Sequence, residues 1–362
     1  MTIANVDMIG NDGTARGDIA GFMAHQGRLD PGKMRPYVGS DGRAYMTVYS
    51  GGDPKKPASY KAMPIQTNAT LRRDEWKQLD DAVLQISEYR LNGVQDLVAN
   101  GLTYNLGNAM GTTVLEWHDV SDALSADLTM DGVTRARGDR PEYTTNYLPI
   151  PIIHADYEIN ARVLAASRSM GNPLDTTMAE RAARKVNEKL ENMLFTDTDY
   201  DFGGGKISSY VNYTNRNQVS LGDNWDASDK TPAEILQDVL DMKKASINAY
   251  HYGPWMLYIP TDYEAVLDED YDTSGTSTQT IRQRIEAVSG IKGIKVVDTL
   301  PDDNVLLVQM TSDVVRLVRG MGIQNVQWST EGNFITKYKV MTIQVPQIRS
   351  DQEGRCGVVH LA

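Results

Sequence analysis

The chain has 362 residues, of which 41% are hydrophobic, and a formal charge of −12 at pH 7. This length allows two or three domains, and the hydrophobic share excludes a wholly disordered chain. The acidic excess argues against a surface that grips duplex nucleic acid, although not against a chain that encloses it. The single cysteine, Cys356, excludes an intramolecular disulfide and a cysteine-based zinc site.

Neither a membrane span nor a secretory signal is visible. No segment stays apolar for the roughly 18 residues that a spanning helix needs, and residues 1–13 lack a basic-then-apolar pattern. We therefore expect a soluble protein that is made inside a cell and has no membrane partner. Tyrosine outnumbers phenylalanine by 18 to 4, which suits surfaces with one apolar and one wet side, such as subunit contacts.

Residues 1–69 differ from the rest of the chain. Gly, Asp, Pro and Arg recur, and the apolar stretches are short, as in AYMTVY. Turn residues at this density leave room for short strands and for no long helix. Two interpretations stay open: a flexible tail, or an arm that is ordered by lying along a neighbouring subunit.

Helical periodicity begins after this leader. Apolar residues recur every three or four positions from Trp76 to Ile86, which predicts an amphipathic helix over 70–92. A second apolar stretch, 94–106, ends in a turn rich in Gly and Asn. The pattern TTVLEW at 112–117 then indicates a strand.

Residues 119–151 are polar and offer few core candidates. Such a long stretch is unusual inside a compact domain, so we interpret it as an extended hairpin that turns near 137–139 and projects from the body. A projecting hairpin exposes strand edges and is stabilised when it packs on another chain. The alternative is a mobile surface loop.

Basic residues cluster at the predicted tip of this hairpin. Arginines at three nearby positions form the only compact positive cluster of the acidic sequence. They could pair with acidic surface on a neighbouring subunit and so set its register, or they could be solvated. The candidates for inter-subunit contact are Arg135, Arg137, Arg140, Glu142, Tyr143 and Tyr147.

Two helices are predicted in the middle of the chain. The first is short, covers 154–169 and is closed by Gly171. The second has an N-cap residue at Asn172 and proline at its first position, and apolar residues follow at intervals of four. This pattern predicts a helix over 173–195, ~34 Å long, that serves as a backbone for the fold.

The order of elements beyond residue 201 is of α/β type. A connector rich in Gly, Asn and Tyr leads to two predicted capping boxes, at Thr231–Glu234 and Thr261–Glu264, each of which starts a helix. The segment TQTIRQRIEAV predicts a further helix, and PWMLYIP, KGIKVVDTL and NVLLVQM predict strands. After residue 311 the pattern changes to a β meander.

Motifs that carry chemistry are missing. We find no phosphate-binding loop, no nucleophile elbow and no HExxH pair, and the acidic runs at 223–229 and 268–270 lack calcium-loop spacing. Cys356 is better explained by packing than by nucleophilic chemistry. The sequence thus predicts no cofactor, no metal site and no enzyme activity.

The order of these elements resembles a known family, the encapsulins and tailed-phage major capsid proteins of the Hong Kong 97 type. The resemblance rests on TLRRDEWKQLDDAVLQISEYRL, on TTVLEW with the long loop behind it, on the return strand YLPIP, on the helix of NPLDTTMAERAARKVNEKLENMLFTD, and on the α/β segment and the closing meander. It covers about four-fifths of the chain, from residue 70 onward. The order of segments, more than any single motif, gives it its specificity.

The resemblance implies an α+β Hong Kong 97-type capsid fold with an N-terminal arm, an extended loop, a peripheral domain with a long spine helix, and an apical domain. The implied boundaries are 1–69 for the N-terminal arm, 70–118, 152–200 and 311–362 for the peripheral domain, 119–151 for the extended loop, and 201–310 for the apical domain.

The resemblance also implies a function and partners. Subunits would assemble through pentamers and hexamers into an icosahedral shell that encloses double-stranded phage DNA without sequence-specific binding. Scaffold, portal and decoration proteins are possible partners, and the location would be the virion, assembled in the cytoplasm of a host bacterium. The long leader fits the phage branch, and it also fits a longer encapsulin subgroup. Loop 119–151 contains no lysine, which argues against loop-borne lysine crosslinks.

Two alternatives stay open. The first is an encapsulin-type nanocompartment shell around a cargo enzyme. The second, more remote, is a cytosolic hydrolase or carbohydrate-binding enzyme, which would need a pocket of convergent polar groups.

Overall fold

The structure is a computed structural model that describes most of the chain from residue 36 onward. The described residues are 36–49, 60–64, 71, 75–81, 92–120, 130, 143–160, 162, 176–196, 198–271, 279–330 and 335–362.

Helices and strands alternate along the chain. The helices are α1 (75–81), α2 (Asn92–Ala99), α3 (Thr177–Phe195), α4 (Pro232–Asn248), α5 (Asp262–Leu267) and α6 (Ile281–Glu286). The strands are β1 (Pro36–Val38), β2 (Ala44–Tyr49), β3 (Tyr60–Pro64), β4 (Thr103–Asn105), β5 (Val114–Val120), β6 (Tyr143–Pro149), β7 (Ile153–Asn160), β8 (Asp201–Phe202), β9 (Gly205–Lys206), β10 (Asn217–Val219), β11 (Trp255–Ile259), β12 (Ile291–Val296), β13 (Val305–Gln309), β14 (Val315–Thr330), β15 (Ile335–Ile348) and β16 (Val358–Leu361).

A five-stranded sheet has the order β10-β16-β13-β11-β12, and its three central strands, β16, β13 and β11, are buried on both faces. Successive side chains of a strand point to opposite faces, so each central strand supplies two cores. In β11, Leu257 and Ile259 pack with α4, α5 and α6, which we call the α4 cluster. Met256 and Tyr258 pack with α3 on the other face, which we call the spine cluster.

A four-stranded sheet in the order β4-β14-β15-β7 forms the other large layer. Helix α3 packs across β7 and β15, and its buried side includes Val186, Leu190 and Leu194. These residues belong to the four-residue repeat that predicts the helix. We call α3 the spine helix, and it ends at Phe195 as the sequence predicts.

The leader contributes a small antiparallel sheet, β1-β2-β3. Its first strand is attached to the body, since the Val38 amide donates to the Leu71 carbonyl at 3.0 Å and Tyr37 packs on the spine cluster. Residues 36–49 and 60–64 are therefore not a free tail. Residues 1–35, where a longer arm is predicted, lie outside the described residues.

Two predictions for the middle of the chain are wrong in part. The predicted helix at 154–169 is wrong over 154–160, which form the strand β7 and pair antiparallel with β15, whereas Arg162 is helical. The spine helix begins at Thr177, not at residue 173. The rest of these two predictions, residues 163–175, lies outside the described part of the chain.

The predicted elements after residue 230 are largely confirmed. Helix α4 begins with the predicted capping box, in which the Thr231 hydroxyl accepts from the Glu234 amide. Helix α5 is present, but Thr261 makes no side-chain cap, so the second capping box is wrong. The first two segments of the predicted meander, DVVRLVRG and IQNVQWST, form a single strand, β14. Its pairing with β15 is irregular between Arg319 and Gln324.

The last strand, β16, lies inside the five-stranded sheet, antiparallel to β13 and parallel to β10. The peripheral and apical boundaries that the resemblance implies stay a prediction.

Candidate assembly surface

The base of the predicted hairpin is a two-stranded antiparallel ladder. Strands β5 and β6 pair from Val114↔Pro149 to Val120↔Tyr143. The ends of segment 121–142 therefore lie side by side, as a hairpin requires. The predicted turn at 137–139 lies outside the described residues.

The two faces of this ladder differ in burial. Tyr143, Thr145 and Tyr147 alternate along β6 and share one exposed face. Tyr143 is 66% exposed and Tyr147 is 38% exposed. Large aromatic side chains in such positions are enriched at protein interfaces, because they bury much apolar area and keep a polar group for hydrogen bonding.

A tight turn from another part of the chain supports β6. Strands β8 and β9 form a two-residue hairpin whose Gly205 lies directly against the backbone of Tyr147. A Cβ at Gly205 would stand 2.3 Å from the Tyr147 carbonyl oxygen, so only glycine fits there. Phe202, which pairs with Gly205 in this turn, is exposed.

A polar cleft of about 320 Å³ lies beside the ladder and is lined by Thr145, Asn146, Tyr147 and Leu148 of β6. Its walls come from the hairpin base, from the turn around Gly204, from Tyr213–Asn215 and from the end of β15 near Ile348. Within it, the Tyr213 hydroxyl donates to Ser350 Oγ at 2.9 Å, and burial raises the pKa of Tyr213 to about 12. Two charged residues line the cleft and both have partners: Asp119 accepts from the Asn146 amide group, and Lys206 Nζ donates to Asp199 Oδ1 at 3.3 Å.

The six predicted contact residues fall into two groups. Tyr143 and Tyr147 lie on the exposed face of β6, which places both on one surface. Arg135, Arg137, Arg140 and Glu142 lie outside the described residues, so their contacts stay a prediction.

A second exposed aromatic site follows helix α4 and was missed in the sequence. Tyr250 and Tyr252 are 62% and 66% exposed. Tyr250 has a left-handed backbone (φ 62°), which costs energy for a residue with a side chain, and the guanidinium of Arg355 lies 4.5 Å from its ring centre. The excess of tyrosine was the only signal that could have found this site.

The described part of the chain offers little for catalysis. Among its residues no group of three or more His, Cys, Asp and Glu side chains could hold a metal ion. Cys356 is buried, and burial raises the pKa of its thiol to about 12, which opposes thiolate chemistry. None of the helices described here is both long and apolar enough to cross a membrane.

Comparison with known proteins gives a family match and several structural relatives. The model of the family described as "Family of unknown function (DUF6260)" matches residues 65–361. The Type 1 encapsulin shell protein EncA of Myxococcus xanthus (strain DK1622) is 25% identical over 221 residues, which are 59% of this chain and 69% of that protein.

Solved shells share the fold at low sequence identity. The virus-like particle from Pyrococcus furiosus aligns with a TM-score of 0.56 and 18% identity, over 79% of this chain and 99% of that chain. The capsid of Myoviridae Phage XM1 aligns with a TM-score of 0.58 and 10% identity, over 74% and 91% of the two chains. The α+β Hong Kong 97 capsid fold that the sequence implies is thereby confirmed, and the similar proteins are structural shell proteins.

Proposed function

The chain belongs to the DUF6260 family, and from this premise we propose that it is a shell subunit, the major capsid protein of a tailed phage. Its copies assemble through pentamers and hexamers into a closed icosahedral shell around double-stranded DNA. The observation that carries the proposal is the shared fold, which aligns with a phage capsid and a virus-like particle over about three-quarters of this chain.

The surface of the subunit supports assembly through the hairpin. The ladder of β5 and β6 pairs with no third strand among the described residues. A two-stranded ribbon is marginal alone in water and becomes stable when it packs on another surface. We propose that the exposed face with Tyr143 and Tyr147 contacts the next subunit, in a head-to-tail arrangement whose rotation closes each ring.

The negative net charge supports the proposal that the shell encloses DNA without binding it tightly. With a net charge of −12, an inner surface would repel packaged DNA and leave it free to move.

The leader precedes the family match, which begins at residue 65. We propose that the leader strengthens contacts between subunits, and that portal, scaffold and decoration proteins complete a virion built in the host cytoplasm.

An encapsulin-type nanocompartment is the second candidate. It is favoured by the match to EncA, and by the Pyrococcus furiosus particle, whose subunit is covered almost completely. In that case the same shell would enclose a cargo enzyme.

Electron microscopy of the purified full-length protein tests both candidates. We expect closed shells or capsomer rings, and the absorbance ratio at 260 and 280 nm of the same nuclease-treated fraction distinguishes nucleic acid from protein contents. Expression beside the flanking genes of the native operon supplies a scaffold or a cargo if one is needed. Uniform monomers under that condition would contradict the shell.

A further inference from the structure

The start of helix α2 is held between the spine helix and the five-stranded sheet. The Gly93 amide donates to Glu191 Oε1 at 3.0 Å, so a side chain of the spine helix caps α2. On the other side, the amide group of Asn92 donates to the Val296 carbonyl at 3.2 Å. A Cβ at Gly93 would stand 2.4 Å from the Phe195 ring, so the two helices approach as closely as glycine allows.

The contact buries two carboxyl groups, and a third acidic residue, which is exposed, lies close enough to act on one of them. Glu191 is only 6% exposed, and Asp96 on α2 is buried as well. Asp298, after β12, contributes a third negative charge that acts on Glu191. We call the group formed by Gly93, Asp96, Glu191 and Asp298 the α2–spine junction.

Few groups compensate these charges. From β12, Lys295 acts on Asp96, and from β11 the Tyr258 hydroxyl donates to Asp96 Oδ2 at 3.2 Å. Tyr210 also faces the junction, and burial raises the pKa values of Tyr210 and Tyr258, so both phenols stay neutral. No cation among the described residues bonds directly to Glu191, whose carboxylate depends on backbone amides.

Burial and backbone hydrogen bonding therefore act in opposite directions on the pKa of Glu191. Burial disfavours the charged carboxylate, and Asp96 and Asp298 add repulsion, whereas the Gly93 and Val94 amides favour the charge. Burial is the largest effect and raises the pKa of Glu191 from 4.5 to about 7.

We propose that the α2–spine junction is a proton-sensitive contact, in which a proton on Glu191 tightens the packing of α2 against the spine helix and its loss loosens that packing. The proposal concerns the folded subunit itself. It holds whether or not the chain forms a shell, so the failure of one proposal leaves the other intact.

The direction of the pH effect follows from linkage. A carboxyl whose pKa is higher in the folded state than in the open state binds a proton on closing. The closed junction is therefore most stable below about pH 4.5, and it loses stability as the pH rises to about 7.

Hydrogen exchange measured by mass spectrometry tests this in the full-length protein. The readout is the protection of peptides that cover 92–99, corrected for intrinsic exchange and compared with peptides that cover α4. We expect the relative protection of 92–99 to fall by up to roughly two orders of magnitude between about pH 5 and about pH 8. Protection that does not change with pH would overturn the proposal.

Variants identify the titrating group. Glu191→Gln should remove the pH dependence near neutral pH, because the amide cannot ionise. Burial also raises the pKa of Asp96 from its usual value, so a smaller dependence at lower pH can remain in this variant. Glu188→Gln, one turn away in sequence on the same helix and partly exposed, should keep it. If Glu191→Gln does not fold, Asp298→Asn serves instead: it removes a repelling charge and should move the midpoint to lower pH. A wild-type profile in Glu191→Gln, or an unmoved midpoint in Asp298→Asn, would refute the assignment.

Discussion

At the scale of single residues, His360 shows how packing fixes a protonation state. Arg216 Nε donates to His360 Nδ1 at 3.1 Å, so the ring proton is on Nε2, which donates to Asn304 Oδ1 at 2.6 Å. Burial, with the nearby Arg216 charge, lowers the pKa of His360 from 6.5 to about 4. The neutral ring joins β16 to the segments on both sides of it.

We predict that His360 makes the fold sensitive to mild acid. Its pKa is lower in the folded state, so its contribution is complete above about pH 6.5 and is lost as the pH falls towards 4. The expected loss is about 2 kcal/mol in the free energy of unfolding, measured by urea denaturation at several pH values.

The variant His360→Gln separates this effect from that of Glu191, which acts in the opposite direction. The difference between wild type and variant should depend on pH over that range. His118→Gln, on the exposed hairpin base, is the matched control and should leave the wild-type profile unchanged. A pH-independent difference for His360→Gln would show that the ring does not titrate as we expect.

At the scale of elements, two threonines with the same sequence pattern make different contacts. Thr231 accepts a hydrogen bond from the Glu234 amide at the start of α4, whereas Thr261 makes no such bond at the start of α5. We predict that Thr231→Ala lowers the free energy of unfolding by about 1 kcal/mol, and that Thr261→Ala changes it by much less. Thermal and urea unfolding of the pair give the comparison, and equal losses would contradict it.

The hairpin can be shortened by a deletion that leaves the rest of the subunit unchanged. Val120 and Tyr143 are the last paired residues of the ladder, so a two-residue Asn-Gly turn can replace 121–142. We predict a folded subunit with a nearly unchanged melting temperature that no longer assembles. Circular dichroism and electron microscopy check the two parts, and shells formed by the shortened protein would show that the hairpin is dispensable.

Local patterns predicted those elements whose packing follows from sequence neighbours. The spine helix and α4 have apolar residues at helical spacing, and both are present. Strand β7 was mistaken for a helix because its sequence, IHADYEIN, also suits a helix; its pairing with β15, far along the chain, decides the outcome. Strand β14 continues through Gly320 and Gly322, where its pairing with β15 is irregular.

Some residues of the candidate site could be predicted from the sequence, and others could not. Tyr143 and Tyr147 could be predicted, because they flank a polar stretch that has no core of its own. The turn at Gly205 and the cleft beside the ladder could not, since residues far apart in sequence build them. The position of β16 is the clearest case, because its partners β10 and β13 lie far earlier in the chain.

At the scale of the whole molecule, one sheet belongs to both hydrophobic cores. Strands β11, β13 and β16 supply alternate residues to the spine cluster and to the α4 cluster. Neither cluster can lose its packing without exposing one face of that sheet, and exposing buried apolar surface is costly.

We therefore predict that the unassembled subunit unfolds in one cooperative transition. Far-ultraviolet and near-ultraviolet circular dichroism should give the same urea midpoint, and calorimetry should show a single peak. Trp76 in the spine cluster and Trp225 in the α4 cluster report on the two cores separately when each is left as the main fluorophore. Different midpoints for these two residues would mean that the cores are independent.

The position of β16 between β10 and β13 also determines when the central sheet can form during translation. The ribosome makes β16 after every other strand of the structure, and chains fold from the N-terminus as they emerge. Until then β10 has no neighbour and β13 has an open edge. A nascent chain therefore cannot complete its central sheet, and a subunit becomes competent to meet its copies only after translation has passed residue 361. For the shell that we propose, this order would keep unfinished chains on one polysome from assembling with each other.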